Sequence, residues 1–220
     1  MPLLISLHKF LINLSVLSLA IAGLPALYFF KKHEKPMRVF ASFIAVSIGF
    51  EIYAMITAAH GTNNMGALHV YTVIEYSLIA YFFSLLDNFS SIKKIILLSA
   101  LFFSIGSLIY SFVFADLVRY NGITRTLESA VLTLLGFYYY YRLFENEQYV
   151  SITKYSYFWV NSGIVIYFFG NFVIAITYNT LLTHKTPEIT RDFWNVHSLL
   201  NIIANIFYLI AFIWSPHQHK

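Results

Sequence analysis

Three carboxylates lie inside long apolar stretches of the sequence, Glu51, Glu75 and Glu128, and Arg125 lies close to the last of them. An ionisable group at mid-bilayer depth costs about 2.5–3.5 kcal/mol on insertion scales, and such groups mark functional sites by default. Arg125 and Glu128 are three residues apart and can pair on one helix, and Arg125 could also neutralise a carboxylate of another helix. These groups predict a site that binds a polar or charged small molecule, a structural ion-pair network, or a proton relay.

Polar residues follow a helical spacing near the end of the chain. His197, Asn201 and Asn205 are four residues apart and Tyr208 follows three later, so they form one stripe on a helix. The opposite face is apolar and suited to lipid: Leu199, Ile203, Ile206 and Ile210. The stripe is therefore predicted to face the interior of a helix bundle. The alternative for its asparagines is interhelical hydrogen bonding, which fixes packing without binding a ligand.

A metal site is a second interpretation of the same residues. Zn²⁺ accepts two histidines and one carboxylate and keeps an open position for water. His69, His197 and Glu75 could hold such an ion while Glu51 activates the water, which would make the protein an intramembrane lipid hydrolase. The sequence contains neither H-x-x-x-H nor H-E-x-x-H spacing. A third interpretation is a proton-coupled carrier that uses Glu51 and Glu75 as proton sites.

The composition defines the elements that must position these groups. Hydrophobic residues make up 59% of the 220-residue chain and charged residues 11%, whereas a soluble domain is about half apolar and about a quarter charged. The chain therefore lacks the polar surface of a soluble globule and is predicted to be an integral membrane protein. The absence of cysteine excludes disulfides and thiolate metal sites. The net charge of +4 is modest, and the sequence therefore does not predict a nucleic-acid partner.

Seven stretches are long and apolar enough to cross a bilayer, which takes about 20 residues. They cover residues 10–30, 39–59, 67–86, 95–115, 123–144, 157–182 and 193–214. The first is interpreted as a retained span and not as a signal peptide, because an apolar stretch precedes its first basic residue. Every connecting loop is too short to fold separately. The fold class is therefore predicted to be an all-α, seven-transmembrane-helix bundle that forms a single domain over residues 1–220.

The basic residues predict the orientation of this bundle in the membrane. Nine Lys and Arg residues fall on the side that holds the loops at residues 31–38 and 87–94, and five fall on the other side. The side richer in Lys and Arg is usually cytoplasmic. We therefore expect a multi-pass protein of the plasma (inner) membrane, with the N-terminus outside and the C-terminus in the cytoplasm.

In this topology the polar groups collect in the outer half of the bundle, on five different spans. Random interhelical hydrogen bonding would not favour one side, so the sequence predicts an outward-facing polar pocket. Eight residues are predicted to line it: Glu51, His69, Glu75, Arg125, Glu128, Asn171, His197 and Asn201. Within it, Arg125 would anchor an anionic group and the asparagine amides would orient the ligand.

Four stretches resemble a group of small bacterial seven-helix proteins of unknown function: LHVYTVIEYSLIAYFF, RTLESAVLTLLGFYYYYRLFE, FWVNSGIVIYFFGN and WNVHSLLNIIANIFYLIAF. The resemblance covers most of the chain, from Glu51 to Trp214. It implies a bacterial inner-membrane protein but no activity, because that family has none to transfer. It also makes the His, Glu, Arg and Asn positions of these stretches the ones to test.

Two other seven-helix groups provide a check on cofactors. Microbial rhodopsins hold retinal on a lysine of the seventh helix, and residues 193–214 contain no lysine. The adiponectin-receptor and alkaline-ceramidase group carries H-x-x-x-H in its seventh helix, and here only His197 is present, with Asn201 at the second position. A retinal Schiff base is thereby excluded, and one ligand of that group's zinc site is missing.

These observations lead to one expectation about function. We expect a non-enzymatic receptor-like protein without a cofactor, which binds a small molecule or a lipid headgroup in the outward pocket. Because no loop forms an output domain, a conformational change would have to pass to a separate cytoplasmic signalling protein, such as a sensor kinase. A hydrolase would instead need its His and Glu side chains to converge, and a carrier would need polar residues that continue to the inner face.

Overall fold

The computed structural model describes residues 2–115, 117, 120, 122–145, 152–180 and 186–215. These residues form seven long α-helices and no β-strand. The helices are α1 (Pro2–Tyr28), α2 (Lys35–Ala59), α3 (Met65–Ser84), α4 (Lys93–Ile109), α5 (Gly122–Glu145), α6 (Ser156–Thr180) and α7 (Pro187–Trp214). The predicted all-α seven-helix class is confirmed. The predicted end of the sixth span, residues 181–182, lies outside the described residues.

Local signals set the helix ends that hydropathy did not locate. α7 begins six residues before the predicted span, because the Thr186 hydroxyl accepts the N–H of Ile189 at 3.3 Å and Pro187 occupies the first turn. α2 ends where Gly61 adopts a φ of 66° and its N–H bonds the carbonyl of Ala58 at 3.1 Å. This left-handed conformation is nearly free of steric cost only for glycine. Both ends border the site described below.

Six of the seven helices are long and apolar enough to cross a membrane, which identifies a multi-pass membrane protein. The helix that does not meet this criterion is α5, although its 24 residues would span about 36 Å. α5 carries Arg125 and Glu128 near its start and Arg142 and Glu145 near its end. Its lower hydropathy therefore comes from ionic groups, and the two at its start are buried among neighbouring helices.

The helices form a ring with one helix outside it. Around the ring, α1 contacts α2, α2 contacts α3, α3 contacts α5, α5 contacts α6, α6 contacts α7, and α7 closes back on α1. α4 packs on the outer side of the ring, against α3. Hydrogen bonds between the hydroxyls of Ser99 and Tyr76 and between those of Ser104 and Ser77 join these two helices at 3.1 Å each. The interior of the ring is therefore surrounded by six helices.

Aromatic rings fill one half of the ring, which we call the closed half. Its centre is a group of five fully buried side chains from four parts of the chain: Phe40, Phe82, Phe83, Phe89 and Phe212. Phe40 contacts Phe82 and Phe212 with ring centroids 5.3 and 5.9 Å apart. The connection between α1 and α2 lies at this end, where His33 is buried against Ser215. Close packing of this kind leaves few voids larger than a water molecule.

Candidate functional site

The other half of the ring contains a cavity of about 230 Å³, which we call the chamber. α2, α3 and α7 supply most of its wall, α1, α5 and α6 supply one residue each, and α4 supplies none of the described lining residues. Along α7 the wall runs from Trp194 to Tyr208, which is about 21 Å at 1.5 Å per residue. The chamber therefore extends from the α2–α3 connection to the rings of the closed half.

Tyr71 and Glu75 form one wall of the chamber. They lie one turn apart on α3, so both side chains share a helix face. The Tyr71 hydroxyl donates to Oε1 of Glu75 at 3.3 Å and lies 2.9 Å from the hydroxyl of Ser47 on α2. The Tyr71 ring stacks on Phe50 of α2 with centroids 4.4 Å apart. Polar and aromatic contacts together therefore hold α2 against α3 along this wall.

Arg125 joins α3, α5 and α6 behind this wall. Its Nη1 forms ion pairs with Glu75 and with Glu128, whose Oε2 lies 3.0 Å away, and its Nη2 donates to the Tyr167 hydroxyl at 3.2 Å. All three charged side chains are more than nine-tenths buried. Removing a charge from water costs several kcal/mol per ion, and removing one partner of a buried pair leaves that cost uncompensated. The three groups are therefore mutually dependent.

This network corrects the predicted role of Arg125. We expected its guanidinium to anchor an anionic ligand, but Glu75 and Glu128 already occupy it with two carboxylates. Two negative charges face one positive charge when both acids are ionised, so the guanidinium has no excess charge to offer. The prediction that Arg125 neutralises a carboxylate of another helix is confirmed, and so is its pairing with Glu128.

His197 is held in one orientation by Asn171. The amide nitrogen of Asn171 donates to the backbone carbonyl of Tyr167 at 2.7 Å, which turns the amide oxygen toward Nδ1 of His197, also at 2.7 Å. An amide oxygen only accepts, so Nδ1 carries the proton and Nε2 is the acceptor of a neutral imidazole. The rings of Tyr167 and Trp194 pack on the imidazole with centroids 5.7 and 5.5 Å away.

The predicted stripe on α7 faces the interior. Its four residues line the chamber, while Leu199, Ile203 and Ile206 on the opposite face are 41–48% exposed. Asn201 and Asn205 also donate to serines of α1, Ser15 at 2.8 Å and Ser18 at 2.9 Å. The structure therefore supports the helix-joining role of the asparagines, and it places both of them on the chamber wall as well.

Glu51 differs from the other carboxylates of the site. It lines the chamber from α2 and is partly buried. Within the described part of the chain, neither a hydrogen-bond donor nor a cationic group is paired with it. The chamber therefore contains one carboxylate for which the described residues supply no partner.

Five of the eight predicted pocket residues line the chamber: Glu51, Glu75, Arg125, His197 and Asn201. Glu128 lies behind Arg125 and is fully buried. Asn171 supports His197 and lines a second cavity of about 250 Å³, which shares His197 and Trp194 with the chamber. The predicted set is thus one connected group with a single exception, which is His69.

His69 points away from the chamber. Its Nδ1 lies 2.7 Å from the hydroxyl of Ser111, in a π-helical turn (Tyr110–Phe114) that continues α4. The metal site proposed from His69, Glu75 and His197 is therefore not assembled. Over all described residues, no group of three His, Asp or Glu side chains is placed to hold a metal ion. Glu75, Arg125 and Glu128 instead pair with one another and with neutral donors.

Most of the aromatic lining of the chamber was not predicted from the sequence, although the inward stripe of α7 included Tyr208. Rings from four helices face it: Phe43, Phe50, Tyr71, Tyr167, Trp194 and Tyr208. The sequence contained a signal for part of this aromatic lining. Three of the rings precede a polar residue of the site by one helical turn: Tyr71 before Glu75, Tyr167 before Asn171, and Trp194 before His197. In a chain with 22 Phe and 17 Tyr, however, an aromatic residue at that spacing carries little information.

The fold and the chamber define a multi-pass helical membrane protein with a polar and aromatic cavity inside a six-helix ring. Comparison with protein-family models, with curated proteins and with solved structures finds no match to the chain. The resemblance to small bacterial seven-helix proteins stays a prediction. The arguments about function therefore rest on the chamber itself.

Proposed function

We propose that this protein binds a small molecule or a lipid headgroup in the chamber and acts as a receptor-like sensor. The observation that carries the proposal is the contrast within the ring, where a polar cavity ends against close-packed aromatic rings. A binding site needs a concave, mostly apolar space with a few placed polar groups. The chamber has this composition, and the neutral His197 and the Asn201 amide supply orienting hydrogen bonds.

The two alternatives have weaker support. A carrier requires a polar route that continues toward the opposite face, and the rings of Phe40, Phe82 and Phe212 occupy that position. A zinc hydrolase requires converging ligands, and His69 and His197 bond to partners on different sides of the bundle. Both discriminating features therefore favour a binding protein.

A chain of ring contacts offers a route for a conformational signal. Tyr208 lines the chamber and meets Phe40 at 4.9 Å, Phe40 meets Phe212 at 5.9 Å, and Phe212 meets His33 at 5.4 Å. The route ends at the connection between α1 and α2, where His33 lies 3.1 Å from Ser215. Such a contiguous packed network can carry coupling between sites.

The finer assignments belong to the same proposal. The connection between α1 and α2 would face the cytoplasm of a bacterial inner membrane, in accordance with the basic residues at positions 31–38. A separate cytoplasmic signalling protein would read the position of this connection. The chamber would then open toward the outside, where a ligand arrives.

A cavity-filling variant tests the proposal. Ala54 lines the chamber on α2, so Ala54→Trp should fill it, whereas Ala58→Trp places the same ring one turn further on at an exposed position. A panel of amines, carboxylates, sugars and lipid headgroups would be screened by thermal shift on purified protein in non-ionic detergent. At least one compound should stabilise the wild type and Ala58→Trp but not Ala54→Trp.

Two results would oppose the proposal. If every compound shifts the two tryptophan variants equally, binding does not occur in the chamber. If a compound that binds there also accumulates in proteoliposomes against a concentration gradient when a pH gradient is applied, the protein is a carrier.

A further inference from the structure

The charge balance of the chamber limits what it can bind. Its lining includes Arg125, Glu75 and Glu51, and Glu128 lies directly behind Arg125. With Glu51 and Glu75 ionised, negative groups outnumber the positive one even when Glu128 holds a proton, because Glu75 alone balances Arg125. An anionic ligand would therefore enter a site whose charge has the same sign as its own, which like-charge repulsion disfavours.

Glu51 is the group that a ligand can satisfy. A carboxylate that is partly removed from water without a partner is destabilising, and an opposite charge within about 4–6 Å relieves this. The other charged groups of the chamber already have partners, but Glu51 has none among the described residues. A cation bound next to Glu51 would supply the charged partner that the described residues do not provide.

The aromatic wall provides the second half of a cation site. The face of an aromatic ring is negative, and a cation within about 6 Å of its centroid is attracted, most strongly by Trp. Phe50 and Tyr71 form one stacked pair on the wall, and Trp194 lies on α7 next to His197. Rings and a carboxylate around one cavity form the arrangement that recognises alkylated ammonium groups.

The volume indicates the size of the ligand. An engineered protein cavity of about 150 Å³ holds benzene, which has six non-hydrogen atoms. By proportion, the 230 Å³ chamber has room for roughly nine non-hydrogen atoms. This is the size of a small organic amine or of one lipid headgroup, and it is larger than a bare metal cation needs.

We infer that the chamber is a binding site for an organic ammonium group, held by the Glu51 carboxylate and by the rings of Phe50, Tyr71 and Trp194. The inference rests on the proposed binding function and names its ligand chemistry. The same ammonium group can belong to a free soluble amine or to a choline-type lipid headgroup. Arg125 does not contact the ligand's charge and instead holds Glu75 in place.

The test compares choline with 3,3-dimethylbutan-1-ol, a neutral molecule of the same shape in which carbon replaces the charged nitrogen. Affinities would be measured by calorimetry on the full chain in maltoside detergent, which contains no ammonium group. Choline should bind at least tenfold more tightly than the neutral analogue. Glu51→Gln should remove that preference, whereas Glu145→Gln, at an exposed position paired with Arg142, should leave it unchanged.

A second variant keeps the test informative if Glu51→Gln folds poorly. Trp194→Leu removes one ring but no charge, and a cation–π contact corresponds to a change of about three- to thirtyfold in affinity. Choline binding should weaken by this factor while binding of the neutral analogue stays within about twofold. Equal affinities for choline and the analogue in the wild type, or unchanged choline binding in both variants, would overturn the inference.

Measurements in two different lipids distinguish a free amine from a lipid headgroup as the source of the ammonium group. In nanodiscs of choline lipids, a headgroup ligand would compete and weaken the apparent affinity for added choline at least tenfold relative to nanodiscs of a neutral glycolipid. A free amine as ligand would give equal affinities in the two lipids. If the compound panel finds a neutral or anionic ligand that Ala54→Trp excludes while choline does not bind, the ammonium inference fails and the proposed binding function stands.

Discussion

The chamber half and the closed half are built from the same helices but stabilised by different means. In the closed half, fully buried rings such as Phe40, Phe82 and Phe212 contact one another directly. In the chamber half, ion pairs and amide hydrogen bonds join the helices around a cavity of about 230 Å³. The comparison shows that ion pairs and hydrogen bonds of fixed geometry stabilise the side of the ring that surrounds a cavity. Close packing of aromatic rings makes the other side rigid.

The largest effect is expected from breaking the network of the chamber half. Arg125→Met leaves Glu75 and Glu128 buried without their cation, which should destabilise the fold by about 3–5 kcal/mol. Arg38→Met is the matched control, since Arg38 is exposed, and it should change stability by less than about 0.5 kcal/mol. Reversible unfolding in mixed micelles measures both. Equal stability of the two variants would mean that the chamber half does not depend on its ion pairs.

An intermediate effect is expected at the boundary between the halves. A Cβ atom at Gly163 would overlap the ring of Tyr208, which both lines the chamber and meets Phe40. Gly163→Val should therefore displace this ring and cost about 1–3 kcal/mol. Gly106→Val on α4 meets no atom within 4 Å and should be nearly neutral. A neutral Gly163→Val would show that the Tyr208 ring moves without loss.

The smallest effect is expected from pH at the end of the closed half. Burial lowers the pKa of His33 below 6.5, and the nearby carbonyls of Pro25 and Ala26 offset this only in part. The folded state therefore disfavours the protonated imidazole. Stability should be unaffected by His33 above about pH 6.5 and should fall as the pH drops below that value toward the lowered pKa.

Comparing the wild type with His33→Gln separates the contribution of His33 to the pH dependence from that of the other titrating groups. Melting temperatures of the wild type and His33→Gln would be recorded at pH 7.5 and pH 5. The wild type should lose more stability between these values than the variant does. Identical losses would show that His33 does not contribute to the pH dependence.

The sequence predicted the parts of this comparison that depend on composition and on helical spacing. Low charge and seven apolar stretches predicted the helices, and the spacing of His197, Asn201 and Asn205 predicted the inward face of α7. The depth of each polar residue along its helix also followed from the rise of about 1.5 Å per residue. For that reason five of the eight predicted pocket residues line the same cavity.

The rotation and the neighbours of each helix could not be predicted in the same way. α3 is apolar on most of its surface, so nothing in its pattern shows that Glu75 faces the chamber while His69, six residues earlier, faces α4. Six residues correspond to about 600° of helical rotation, or about 240° around the axis. The position of α4 outside the ring and the pairing of Arg125 with Glu75 in particular arise from tertiary packing and carry no local signal.

The contact between α1 and α7 has a consequence for biosynthesis. Ser15 and Ser18 bond to Asn201 and Asn205, and His8 lies 2.7 Å from the amide oxygen of Asn195. α1 is therefore held by a helix that leaves the ribosome after five others of the described chain. Until α7 enters the bilayer beside α1, the six-helix ring stays open between α1 and α6.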